Sequence, residues 1–165
     1  MKQLLFTSAK HIFTLVLAYA PALFFSAKAQ TVTKSSTKSY NLSNNQLAIQ
    51  GYDPVAYFTD NTAKEGKKDI SYVYDGVAYR FISLQHLQLF KSTPEKYKPQ
   101  YGGWCAYAMG ATGEKVDVDP ETFKLLDGKL YLFYNRFFNN TMKSWDKDEN
   151  NLKRKADANW QKITH

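Results

Sequence analysis

Two Asp-Gly pairs constrain this chain more than any other feature. Asp75-Gly76 lies between Ile70–Tyr74 and Val77–Ile82, and Asp127-Gly128 lies between Thr122–Leu126 and Lys129–Tyr134, all runs rich in β-branched and aromatic residues. An Asp-Gly pair accepts positive φ at both central positions of a two-residue turn, the backbone that closes a β-hairpin. The spacing therefore predicts two antiparallel hairpins. Both read Asp-Gly-x-x-Tyr-x-Phe, and each is followed two residues later by a helix-capping residue, Ser83 or Asn135. A hairpin–helix unit used twice and a chance recurrence both fit this pattern.

Helical signals fill the space around the hairpins. In Gly51–Phe58, Asp53 is placed to accept from the first free N–H groups of a short helix and Pro54 suits its first position, with Val55 and Phe58 inward. Ser83 caps a helix to about Lys91 with Leu84, Leu87 and Phe90 on its apolar face; His86, four residues before Phe90, sits at the edge of that face. Thr93-Pro94-Glu95 opens another short helix. Asn135 is expected to cap a helix carrying Phe138, Met142 and Trp145, and a last helix from about Glu149 aligns Leu152, Ala156, Trp160 and Ile163. The fold class is α+β, two short antiparallel hairpins packed against several helices, with a helical C-terminus.

Residues 1–29 read as a signal peptide: Lys2 and Lys10 open it, an apolar run spans Ile12–Phe25, and Ala27-Lys28-Ala29 fits a cleavage site before Gln30. That run is shorter than the roughly 20 residues of a membrane span. An exported monomer, periplasmic or extracellular, with no membrane span after cleavage, is the expectation. Residues 30–47 are polar and read as a flexible leader, so the domain occupies 48–165. Removing the signal takes away three lysines and no acid, so the mature charge is milder than the whole-chain +7. Acids and bases alternate from Lys143 to Asp157, a solvated helix face rather than a phosphate-binding stripe, which argues against nucleic acid as partner.

The chemistry concentrates in Tyr101-Gly102-Gly103-Trp104-Cys105-Ala106-Tyr107-Ala108-Met109, which holds the only cysteine. The glycine pair predicts a sharp turn, followed by a short strand over Trp104–Ala108 and a mobile loop through Gly110 and Gly113. A single thiol excludes an internal disulfide and is reactive, metal-bound, paired between molecules or simply buried. The chain has no Gly-x-Ser-x-Gly elbow, phosphate-cradling Gly-rich loop or His-Glu-x-x-His.

Several of these stretches together resemble the YHS-domain family: Asp75-Gly76-x-x-Tyr79-x-Phe81-x-Ser83, Phe90, Pro94-x-x-Tyr97 and Tyr101-Gly102-Gly103-x-Cys105-Ala106. The Gly51–Phe58 start and the Lys155–Trp160 end are similar to its exported single-domain branch, so the likeness spans roughly residues 48 to 163. It implies a small treble-clef-like domain related to modules of copper- and heavy-metal-handling proteins. Some members of the branch carry selenocysteine, which implies redox or ligand chemistry at a chalcogen. The chain departs from the metal-binding pattern, Phe-Cys-Ser-x-x-Cys, reading Phe81-Ile82-Ser83-Leu84-Gln85-His86. The name-giving Tyr-His-Ser positions read Ile70-Ser71-Tyr72.

The donors left are too few for a four-ligand zinc site without carboxylates. Cys105, His86 and Met109 offer thiolate, imidazole and thioether, a set suited to copper. The leading expectation is an exported binding module for copper or another soft metal centred on Cys105 and His86, with His86 close to the thiol. A thiol-dependent redox protein using Cys105 and an external partner is the alternative, and a non-catalytic interaction domain a third. Tyr52, Asp53, Tyr101, Gly102, Gly103 and Tyr107 are candidates for a ligand pocket.

Overall fold

The computed structural model describes residues 37–165. The expected signal segment, residues 1–29, lies outside the described residues. Among the described residues no helix is long and apolar enough to cross a membrane. The fold is mixed α+β, with several helices and small, mainly antiparallel sheets.

Both Asp-Gly pairs close hairpins. Strand β3 (Lys67–Tyr74) pairs antiparallel with β4 (Val77–Phe81), and β5 (Asp119–Leu126) with β6 (Lys129–Phe133). Asp75 and Gly76 take φ of 49° and 77°, Asp127 and Gly128 of 52° and 70°, the doubly positive turn that their side chains permit. The first hairpin continues into a four-stranded sheet. Strands β1 (Leu42–Ser43) and β2 (Leu47–Ala48) pair antiparallel, and β2 runs parallel to β4. Residues 37–47, expected as a flexible leader, are thus built into the fold: Asn41 N–H donates to Gly102 O at 2.8 Å, and Trp104 Nε1–H to Ser39 O at 2.7 Å. Backbone pairing compensates there for scarce apolar side chains.

Strand β6 is buried along both faces and divides two cores. Leu130 and Leu132 join Val55, Tyr57, Val77, Tyr79, Phe81 and Phe90 on one side. Tyr131 and Phe133 join Trp145, Met109, Leu152 and Ala156 on the other. The two-residue period of a strand makes this division possible. Ring contacts stiffen each core, with Phe90 4.6 Å from Tyr79 and 5.3 Å from Phe81, and Trp145 5.6 Å from Phe133, centroid to centroid.

The helices follow the sequence reading in part. Asp53 Oδ1 accepts from Val55 N–H and Ala56 N–H ahead of α1 (Ala56–Thr59), so the helix begins later than Pro54. Ser83 Oγ accepts from His86 N–H at the start of α2 (Leu84–Ser92). Its buried residues are His86 and Phe90, whereas Leu84 is 68% exposed and belongs to no core. Helix α3 (Pro94–Tyr97) and the long α6 (Glu149–Thr164) form as expected, α6 burying Leu152 and Ala156.

Two further expectations fail. Trp104–Ala108 is not a strand: α4 (Ala106–Ala111) starts at Cys105 and runs through the glycine expected in a mobile loop. A Cβ on Gly110 would stand 2.5 Å from Leu152 O, so the glycine is where α4 and α6 cross in contact. Asn135 caps no helix. Instead β7 (Asn135–Arg136) and β8 (Asn139–Asn140) form a third hairpin, and the helix shrinks to α5 (Met142–Trp145). The hairpin–helix unit is therefore not repeated. Phe137 and Phe138 occupy the turn at φ 51° and 63°, where a residue with a Cβ incurs roughly 1–2 kcal/mol.

Candidate functional site

Cys105 sits where three elements meet. The turn Gln100–Gly103 delivers it, with Tyr101, Gly102 and Gly103 at φ 53°, 59° and 86°, three successive left-handed residues. Its own N–H donates to Val116 O at 2.9 Å, which draws in the chain after α4. On the other side, the N–H of Tyr134, the residue that follows β6, donates to Sγ at 3.3 Å. Thr141 Oγ1 lies 3.4 Å from Sγ and donates its single hydrogen to Tyr134 O at 2.9 Å. The thiol hydrogen is left to point at Thr141. The sulfur thus receives one hydrogen bond and gives one, although the residue is fully buried.

A cleft of about 310 Å³ has the buried Cys105 among its lining residues. Tyr107, Ala108 and Ala111 of α4 form one wall with Val116, while Tyr134, Asn139 and Thr141 form the other; Thr112 and Glu114 add polar groups. Apolar sides with a few polar atoms are the usual lining of a small-molecule site. A second cleft, about 390 Å³, lies between Asn41–Ser43, Ile49–Gln50 and Asp117–Val118 and is also bordered by Arg136. The β7–β8 hairpin therefore contributes a residue to each cleft.

His86 has different partners. Its Nδ1–H donates to Asp53 Oδ2 at 2.8 Å, and that oxygen also accepts from Ile82 N–H at 2.8 Å. Nε2 stands 3.4 Å from Thr59 Oγ1, whose hydroxyl donates to Val55 O. His86 and Cys105 share no hydrogen-bonding partner, and Met109 packs with Trp145 and Leu152 in the other core. Among the described residues no three His, Cys, Asp or Glu side chains are grouped to hold a metal ion.

The proposed pocket residues scatter as well. Tyr107 lines the Cys105 cleft, and the other five do not. Tyr52 donates to Glu121 at 3.2 Å, and Asp53 is spent on backbone N–H groups and His86. Tyr101 is buried and donates to Asp157 at 2.9 Å. Gly102 makes room for Trp160 and Tyr40, and Gly103 faces Pro99 and Asn41. Thr141, Tyr134 and Asn139 were not legible as site residues, because a hairpin with no local turn signal brings them to the thiol. No family model matches this chain, and no curated protein or solved structure resembles it at a significant level.

Proposed function

We propose that this chain is an exported binding module whose binding site is the cleft over Cys105. The observation that carries the reading is the position of the only thiol, on the wall of an apolar-sided cleft of about 310 Å³. The ligand that fits is compact and largely apolar, with one group that engages sulfur or the Thr141 hydroxyl. The arrangement favours this over a soft-metal centre of Cys105, His86 and Met109. His86 is oriented by Asp53 instead, and Cys105 is the single soft donor on the cleft wall.

Kinship with YHS domains is part of the proposal. The stretches on which the resemblance rests meet in pairs: Asp53 of the Gly51–Phe58 stretch binds Ile82 N–H and His86 beside Ser83, and Tyr101 binds Asp157 of the Lys155–Trp160 stretch. A treble-clef-like relation belongs to the same proposal.

Graded alkylation tests the site. Cys105 is fully buried, so iodoacetamide should reach it by local opening of the cleft walls, faster than global unfolding, and Ala111→Trp, at an exposed position on the cleft wall, should slow that reaction by filling the cleft. Equal rates in both proteins, matching the rate of global unfolding, would sink the reading. In a parallel cuprous-ion titration, His86→Asn should bind as wild type does.

A further inference from the structure

The tip of the β7–β8 hairpin breaks two rules at once. Phe137 and Phe138 are exposed to 89% and 111% of their reference areas, the most exposed large hydrophobic side chains among the described residues. Both also sit at positive φ, in a two-residue turn whose geometry favours Asn-Gly. Neither ring contributes to either core. Bulky residues held in a disfavoured backbone region, with their apolar surface in water, point to a use outside the fold.

The size of the surface selects the partner. Two aromatic rings offer about 300–500 Å², whereas a stable protein interface takes about 600 Å² or more from each partner. The rings form the convex end of a hairpin, a shape that enters a soft medium. Aromatic side chains flanked by cations are suited to the head-group region of a bilayer. From Asn135 to Trp145 the chain carries Arg136 and Lys143 and no acid, a charge that complements anionic head groups. Glu114 and Asp117 line the clefts on the two sides of the hairpin.

We propose that the Phe137–Phe138 tip inserts into the surface of a lipid bilayer containing anionic lipid, seating the domain there by its third hairpin. The tip's role does not depend on what the cleft beside Cys105 binds.

The test is Phe138→Trp in the full chain, mixed with phosphatidylglycerol–phosphatidylcholine vesicles whose acyl chains are brominated near the head group. Residues 1–36 contain no tryptophan, so the added emission reports the tip whatever the N-terminal segment does. The added fluorescence should shift to the blue, be quenched by the brominated lipid and lose its quenching by iodide. Phe137→Asn in the same protein should weaken the lipid quenching severalfold. Emission that stays red and equally open to iodide with and without vesicles overturns the proposal. So does protection from iodide that appears without vesicles as protein concentration rises, which would assign the tip to a second copy of the chain.

Discussion

Oδ2 of Asp53 and Nδ1 of His86 stand 2.8 Å apart, joining the segment before α1 to the first turn of α2 across 33 residues. The carboxylate is fully buried and collects Val55, Ala56 and Ile82 N–H groups besides the imidazole. It supplies with one side chain the acceptor that three backbone N–H groups in two chain segments would otherwise lack.

Asp53→Ala should therefore be among the most damaging single changes in the fold. It strands buried donors on both sides, and a loss of about 3–5 kcal/mol in denaturant unfolding is expected. His86→Ala should cost clearly less, because the three N–H groups keep their acceptor. Equal losses from the two would show that the imidazole, not the carboxylate, organises this knot.

Alkali should unfold the protein steeply. Burial raises the phenol pKa of Tyr57, Tyr79 and Tyr101 well above the ordinary value, helped at Tyr101 by its bond to Asp157, and pushes Tyr131 up to about 12. Below about pH 10 these groups are protonated in both states, and the stability they supply is fully present. As pH rises beyond that, the unfolded chain ionises while the folded chain holds its protons, so stability falls by about 1.4 kcal/mol per pH unit for each phenol. For Tyr131 the loss is complete near pH 12. The phenolate absorbance of these four should appear only with the unfolding transition; ionisation of every tyrosine at about pH 10 in still-folded protein would refute this.

Two glycine substitutions should separate packing from backbone strain. Gly110→Ala drives a methyl into Leu152 O and should cost about 1–3 kcal/mol. At Gly128, φ is +70° and a methyl would find no other atom within 4 Å, so alanine there should incur only the left-handed penalty, about 1 kcal/mol. Thermal melts of the two variants settle the order.

Replacing Phe137-Phe138 by Asn-Gly should stabilise the protein by about 1–2 kcal/mol, since both residues accept the turn that phenylalanine resists. A shift to lower melting temperature would mean that the rings support the fold.

The hydroxyls of two neighbouring tyrosines should behave oppositely. Tyr131 Oη is buried with no hydrogen-bond partner among the described residues, whereas Tyr101 Oη donates to Asp157. Tyr131→Phe should be neutral or stabilising, and Tyr101→Phe should cost about 1 kcal/mol. A loss at Tyr131 in urea unfolding would point to an ordered water bound there.

Features carried by local chemistry were legible in the sequence. Asp75-Gly76 and Asp127-Gly128 dictate their turns, Ser83 its cap, and the spacing of Leu152 and Ala156 the buried side of α6. What distant contacts decide was not. Trp104–Ala108 alternates like a strand, yet Gly110 lets it coil against Leu152. Phe137-Phe138 opposes its own turn, so the third hairpin was read as a helix. The thiol cleft was hidden for the same reason, its far wall being Asn139 of that hairpin and the flanking Tyr134 and Thr141. Cys105 and Tyr107 were identified as candidates, while the pairing with His86 rested on no local signal.

The left-handed turn at Tyr101–Gly103 receives Asn41 on one side, through bonds to Gly102 O and Gly103 O, and Trp160 on the other, whose ring is 6.4 Å from that of Tyr101. These contacts span about 60 residues in each direction, separations that slow folding. Residues near 40 leave the ribosome long before α6 exists, so they must wait for the last helix before their site is complete. The turn is thus a latch that shuts late, and damage near residue 40 or near residue 160 should have the same kinetic symptom.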